Sequence, residues 1–173
     1  ILVDARLSGL LVGQTLHTQP HEIYRALLEA TGFGALVIID RIEEYGVPIR
    51  EVVNCGGLAS KNELMMQIYA DIIGRPMKVS RSEQTPALGA AVFASVAAGT
   101  AAGGHDSVRD AQKAMVGVGR EYVPDERSRR AYLRLYALYR RLHDAYGTRS
   151  GPFDLYPVMK ELLDLRDEVR GGR

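Results

Sequence analysis

Gly56 and Gly57 are the residues whose types and spacing best suit chemistry. They lie between a short apolar, strand-like run at 52–55 and a helix start, inside the stretch VVNCGGLASKNELMMQIYADIIGRPMKV at 52–79. Glycine has no Cβ, so two in a row let the backbone come close to a ligand, and the free amides of a helix N-terminus favour an anion. Strand, double glycine and helix start together make a sensible nucleotide site. A plain strand-to-helix turn would need only one glycine, and on these residues alone both readings stand. Lys61 and Asn62, just beyond, are the polar candidates for the same ligand, with a solvated helix start as the alternative.

Other reactive types are sparse. Cys55 is the single cysteine, which excludes an internal disulfide framework and fits a reducing compartment. With no histidine near it in sequence, it is expected to pack as a small hydrophobe at the strand end. His17 and His21 have the i, i+4 spacing of a metal pair, but His17 precedes the helix that Pro20 starts, so both are expected in solvent. There is no Walker motif, hence no P-loop grip on phosphate. Spacing nominates neither a catalytic base nor a metal ligand.

The elements that must position the glycine pair can be read in outline. Ser60 and Glu63 have capping-box spacing ahead of a helix whose apolar stripe is Leu64, Met65, Ile68 and Ile72. Gly74 suits a left-handed cap, Pro76 stops the helix, and residues 77–80 read as a second strand. The stretch TPALGAAVFASVAAG at 85–99 predicts a small-residue helix with Thr85 as N-cap and Pro86 in its first turn. Upstream, residues 20–45 predict a long helix with Ile23, Leu27, Ala30, Val37, Ile38, Ile42 and Tyr45 at helical spacing. Gly32 and Gly34 inside it cost ~1 kcal/mol each against Ala, which points to a close helix–helix crossing. Ser107 with Asp110 starts a short helix to about Met115. A longer helix runs from Asp125 to Tyr146, with Tyr132, Tyr136, Tyr139 and Tyr146 beside Leu135, Leu138 and Leu142. Interleaved arginines suggest a nucleic-acid stacking platform, but tyrosines at this spacing read as half-buried packing with hydroxyls at the rim. Residues 148–152 form the best linker, followed by a short amphipathic helix over 155–169 that could meet a partner.

Composition narrows the class. At 173 residues, with 46% hydrophobic and 25% charged side chains, the chain matches an ordinary globular protein. A net charge of +1 gives no electrostatic case for nucleic acid or membrane as partner. No apolar run reaches ~18 residues, so no membrane span is expected. No signal peptide is expected either. The chain opens on Ile1, Leu2 and Val3 without Met, cap or turn signal, as a piece of a longer polypeptide would.

Three segments in order resemble the C-terminal half of the FGGY carbohydrate kinases, an actin-like ATPase family: NCGGLASKN at 54–62, ADIIGRP at 70–76 and ALGAA at 87–91. PHEIYRALLEATGFG at 20–34 and RLYALYRRLHDAYG at 134–147 are most similar to the L-ribulokinase branch, and the likeness covers roughly residues 4–147. It implies an α/β fold, an actin-like (ribonuclease H-like) lobe with a mixed sheet and flanking helices, plus a C-terminal helical extension. The implied division is 1–147 as an ATP-binding lobe, its nucleotide elements within 1–103, and 148–173 as linker and helix. The implied reaction is transfer of the ATP γ-phosphate, with Mg²⁺, to the terminal hydroxyl of a ketopentose, L-ribulose, in the cytoplasm. Gly56 and Gly57 would bring amides to the α-phosphate or ribose, while Leu58, Lys61 and Asn62 would line the adenosine, Leu58 as apolar contact for the base. Asp71, inside the ADI triplet, is expected to be structural. The base, an Asp, and the sugar pocket would lie upstream of Ile1. Two alternatives remain: a non-catalytic actin-like interaction module using the tyrosine helix and the last helix, and a kinase for another substrate, xylulose or glycerol. Apolar residues at 1–3 and 10–12 would be exposed, which leaves room for a homo-oligomer.

Overall fold

The computed structural model describes residues 9–147, 155 and 158–171. The apolar opening at 1–3 and the linker at 148–152 lie outside the described residues. The elements are α1 (Pro20–Glu44), β1 (Val52–Asn54), α2 (Gly57–Lys61), α3 (Glu63–Ile73), β2 (Met77–Ser80), α4 (Thr85–Ala98), α5 (Val108–Met115), β3 (Val118–Tyr122), α6 (Glu126–Gly147) and α7 (Val158–Gly171), with a 3₁₀ turn at Thr100–Ala102. β1 and β2 are parallel, β3 returns antiparallel on the other side of β2, and the order is β1-β2-β3. This is the expected α/β architecture with a mixed sheet.

β3 is not among the sequence expectations. Gly117 and Gly119 flank Val118, and a Cβ at Gly119 would stand 3.2 Å from the Arg81 Cα. The strand needs a residue without a side chain where the chain beyond β2 crosses it, so the glycine marks close approach instead of a turn.

α3 is the centre of the core. Its Met66, Ile68, Ala70, Ile72 and Ile73 are buried, and Met77 and Val79 of β2 lie beneath. Leu64, expected on the buried stripe, is exposed at the open first turn. α1 crosses α3 at Gly32, where a Cβ would stand 2.8 Å from Ile72 Cδ1 and 3.6 Å from the Tyr69 ring. The close crossing expected at the two glycines is therefore at Gly32; at Gly34 the nearest atom is the Tyr139 hydroxyl at 4.0 Å. The buried face of α1 is Gly32, Phe33 and Leu36, whereas Leu27, Ile38, Ile42 and Tyr45 of the predicted stripe are exposed. A hydrophobicity pattern cannot find a face whose middle is a glycine.

α6 packs on the same cluster, as expected. Tyr132 and Leu138 are buried, and Leu135, Tyr136 and Tyr139 pack partly buried against the core. Phe33 meets the Tyr132 ring edge-on at 6.1 Å between centroids and the Tyr139 ring at 5.4 Å. The Tyr132 hydroxyl donates to Glu29 (2.8 Å) and accepts from Arg25 (2.9 Å), and the Tyr136 hydroxyl donates to Asp40. Tyr146 points to solvent and adds nothing to the core. Asp71 is structural, as expected: it is buried and accepts from the Gln67 side chain and from the backbone N–H of Asp125, both at 2.8 Å. Its carboxylate thus binds the chain at the entrance to α6. One turn on, the Arg129 guanidinium lies where a Cβ of Gly74 would be, and Gly74 has φ +69° as the left-handed cap of α3.

α4 starts at Thr85 with Gln84 as its cap, so Thr85 stands inside the first turn and not at the N-cap. It packs chiefly on α5, burying Val92 and Ala111, and the 3₁₀ turn closes the pair. Ser107 caps α5 by accepting from Asp110 N (3.1 Å). α7 buries Val158 and Leu165, while Leu155 precedes the helix and Leu163 is exposed. Leu10, Leu11 and Val12 are exposed, as expected.

Two outcomes follow from this core. Replacing Gly32 by Leu overpacks the α1–α3 crossing and is expected to lower unfolding stability by about 1–3 kcal/mol in a denaturant titration. The phenols of α6 supply a pH test. Tyr136 is pushed up to about 12, by burial first and by its bond to Asp40 second, and Tyr132 is also raised, again by burial first. A raised phenol favours the fold fully below its unfolded value of 10.0, and that contribution is lost as pH rises through the folded value. Tyrosinate absorbance should show late-ionising phenols in the native chain, with the thermal midpoint falling above pH ~10.

Candidate functional site

β1 and β2 are parallel neighbours, so their last residues, Asn54 and Ser80, reach the same end of the sheet. In open α/β sheets that carboxyl end is where ligands settle. The chain leaves β1 through Cys55 and Gly56 and enters α2 at Gly57. Gly56 has φ +90°, a backbone state that L side chains rarely adopt. Gly57 has no positive φ, and a Cβ on either glycine would meet nothing within 4 Å among the described residues. Packing among the described residues therefore explains neither glycine, and backbone strain explains only Gly56. At Gly57 the missing side chain leaves a stretch of peptide open to whatever approaches from outside.

The helix that follows differs from the expectation. Residues 57–61 form their own short helix, and a second one begins after Asn62. Asn62, at φ −121° and ψ 86°, is the elbow: it ends α2 and caps α3, its Oδ1 accepting from Met65 N at 2.9 Å. The predicted Ser60–Glu63 capping box does not form. Ser60 sits inside α2 and its hydroxyl donates to the Gly57 carbonyl (3.2 Å), while Glu63 pairs with Arg120 of β3. A helix this short has few aligned peptides, so its macrodipole pulls weakly on an anion. What remains at the site is access to backbone donors: the amides of Gly57, Leu58 and Ala59 precede the first helical bond, which Ser60 N makes to Gly56 O (3.2 Å).

Leu58 is 73% exposed, a large apolar side chain held out beside the glycines. Lys61 is exposed on the same short helix. Asn62 is half-buried and its carbonyl oxygen is engaged as the cap, so its NH₂ group is what it can offer a ligand. Gly56, Gly57, Leu58, Lys61 and Asn62 are thus neighbours along one short stretch, a wall made of the β1 exit, α2 and its elbow, with Asn62 serving the fold first. Cys55 is exposed, contrary to expectation. Side chains alternate along a strand, and with Val52 and Asn54 half-buried, Val53 and Cys55 face outward.

His17 and His21 are both exposed, and among the described residues no cluster of three or more His, Cys, Asp or Glu side chains could hold a metal ion. Sequence reasoning missed two contacts that steady the wall. The Arg120–Glu63 pair ties β3 to the first residue of α3, and the Asn54 side chain donates to the Lys78 carbonyl (3.4 Å) across the sheet. Both join residues far apart in the chain, and local pattern carries no signal for them.

Residues 1–98 match the family model described as the FGGY family of carbohydrate kinases, C-terminal domain. The chain is 48% identical over 172 residues to the ribulokinase of Shouchella clausii, covering 99% of this chain and 30% of that protein. It is 50% identical over 167 residues to the ribulokinase of Halalkalibacterium halodurans, covering 96% and 29%. Among solved structures, a xylulose kinase from Rhodospirillum rubrum shares the fold with a TM-score of 0.70 at 26% identity, over 82% of this chain and 28% of that one. The chain thus spans about 30% of the length of the curated relatives it matches.

The elbow gives a direct test. Asn62→Ala should lower stability by about 1 kcal/mol through the lost cap of α3, while Ser60→Ala should stay within about 0.5 kcal/mol of the parent. Urea midpoints in the opposite order would return the capping role to Ser60.

Proposed function

This chain belongs to the FGGY family of carbohydrate kinases, whose C-terminal domain it carries, and we propose that it is the nucleotide-binding lobe of a ribulokinase-like enzyme. In the complete protein the reaction is transfer of the ATP γ-phosphate to the terminal hydroxyl of a ketopentose, L-ribulose. Identity of 48–50% to ribulokinases over nearly the whole chain supports that substrate class over xylulose or glycerol. The observation that carries the nucleotide assignment is Gly57, whose open backbone answers no need of the fold.

In this reading the backbone at Gly56 and Gly57 approaches the α-phosphate or ribose, and Leu58 offers an apolar surface to the base. Lys61 supplies positive charge and Asn62 an amide donor at the edge of the nucleoside. ATP fits the residues present: bare peptide, one exposed apolar side chain and one ammonium on a single wall. Among the described residues no group of three or more His, Cys, Asp or Glu could hold Mg²⁺ by itself, and in this proposal the ion arrives bound to the phosphates. The catalytic base and the sugar pocket are assigned to the part of the protein beyond this chain. Residues 1–147 make up the lobe and 148–173 the linker and terminal helix, and the enzyme works in the cytoplasm. Among the described residues no helix is long and apolar enough to cross a membrane.

Two measurements test this. In the complete enzyme, Gly57→Val places a branched Cβ where the backbone must meet the nucleotide, and KM for ATP should rise at least ~10-fold with KM for the sugar nearly unchanged. The reverse split would move the site elsewhere. The 173-residue chain alone should consume no ATP with L-ribulose. In-line alignment of base, hydroxyl and γ-phosphate accounts for ~7–11 kcal/mol of barrier lowering, and this chain supplies only the nucleotide wall. Turnover by the isolated chain would place the base within these residues and end the proposal as stated.

A further inference from the structure

α7 is tied to three separate parts of the molecule. Along α6, Arg134 grips Glu168 with both terminal nitrogens and Arg141 donates to Glu161 at 3.1 Å. The two arginines are seven residues apart, the two glutamates are seven apart in the reverse direction, and buried Val158 and Leu165 are seven apart between them. A single antiparallel register with a heptad step satisfies both ion pairs and puts Val158 and Leu165 on one stripe of α7. At the start of α1, Arg170 donates to Glu22 at 2.8 Å. Ahead of α1, the Leu162 Cδ1 lies 3.5 Å from the position a Cβ on Gly13 would take.

We propose that α7 is a strap that clamps residues 9–13 and the first turn of α1 to α6, with its charges choosing the register and its buried apolar residues supplying the grip. Exposed ion pairs hold weakly, so Val158 and Leu165 do most of the holding. Those two residues alone do not fix how α7 lies. Sliding the helix along its seam would keep apolar side chains inward but would carry Glu161 and Glu168 away from their arginines. The clamp also contributes Leu162 to the wall of an apolar groove of about 590 Å³ lined by residues 9–12, α1 and α6. The strap is independent of the nucleotide assignment: its ion pairs join α6 and the start of α1, not the wall at 56–62.

Hydrogen exchange of the full 173-residue chain tests the coupling. Glu161→Arg with Glu168→Arg should speed exchange about tenfold in residues 158–171 and equally in 9–19, with α3 unchanged as the internal reference. Adding Arg134→Glu and Arg141→Glu reverses both pairs with α6 and should restore both segments to within about twofold of the parent. Should the charge reversals disturb α3 itself, Arg170→Ala touches only the Glu22 end and must still loosen 9–19. Unchanged exchange in α7, loosening of α7 without 9–19, or no rescue by the full swap would each overturn the strap.

Discussion

At Gly32 the α1 backbone lies directly against Ile72 and Tyr69 of α3, and that approach sets the depth of the core. With a side chain there, α1 would stand further out and the next residue, Phe33, would lose its place among the α6 tyrosines. With glycine, Phe33 and Leu36 on one side and Ile68, Ile72 and Met77 on the other close into one cluster. Protein interiors pack at crystal density, so a displacement at this crossing passes to both neighbours of α3.

α3 can serve as that common support because each side of it meets a different element. The crossing with α1 is apolar, the sheet lies beneath, and α6 joins the same apolar cluster and is tied to α3 by polar groups as well. Asp71 is the main polar link. Burying a carboxylate is costly unless it is hydrogen-bonded, and here the Gln67 amide and the Asp125 backbone N–H both donate to it. Arg129 over Gly74 fixes the next turn of α6. The glycine wall at 56–57 hangs from the other end of α3 through Asn62. The candidate site is therefore supported by a rigid helix at its back and left bare in front.

The elements legible in the sequence were those with strong local punctuation. Pro20, Gly74 with Pro76, and Ser107 with Asp110 each mark an end that the structure respects. The tyrosine face of α6 was legible for the same reason: large side chains at helical spacing announce their burial. Where glycine replaces a side chain at a contact, the pattern falls silent, which explains both the misplaced face of α1 and the missed β3. The glycine pair of the site could be seen from sequence, but not the break at Asn62. Ser60–Glu63 and Asn62–Met65 are both plausible caps, and the choice depends on α2 forming a turn of its own. Lateral ties such as Arg120–Glu63 depend on the sheet register, which no local stretch contains.

The pair α4 and α5 enters and leaves the molecule at one end of the sheet, because β2 and β3 are adjacent and antiparallel. Topologically it is one long hairpin loop that happens to contain helices. The entropy of closing such a loop grows only with the logarithm of its length, about 0.6 kcal/mol per doubling. Residues could be added or removed in the excursion at 81–117 with little effect on the pairing of the strands that hold it. This is a place where related chains are free to differ in size while the sheet, and the glycine wall at its carboxyl end, keep their register.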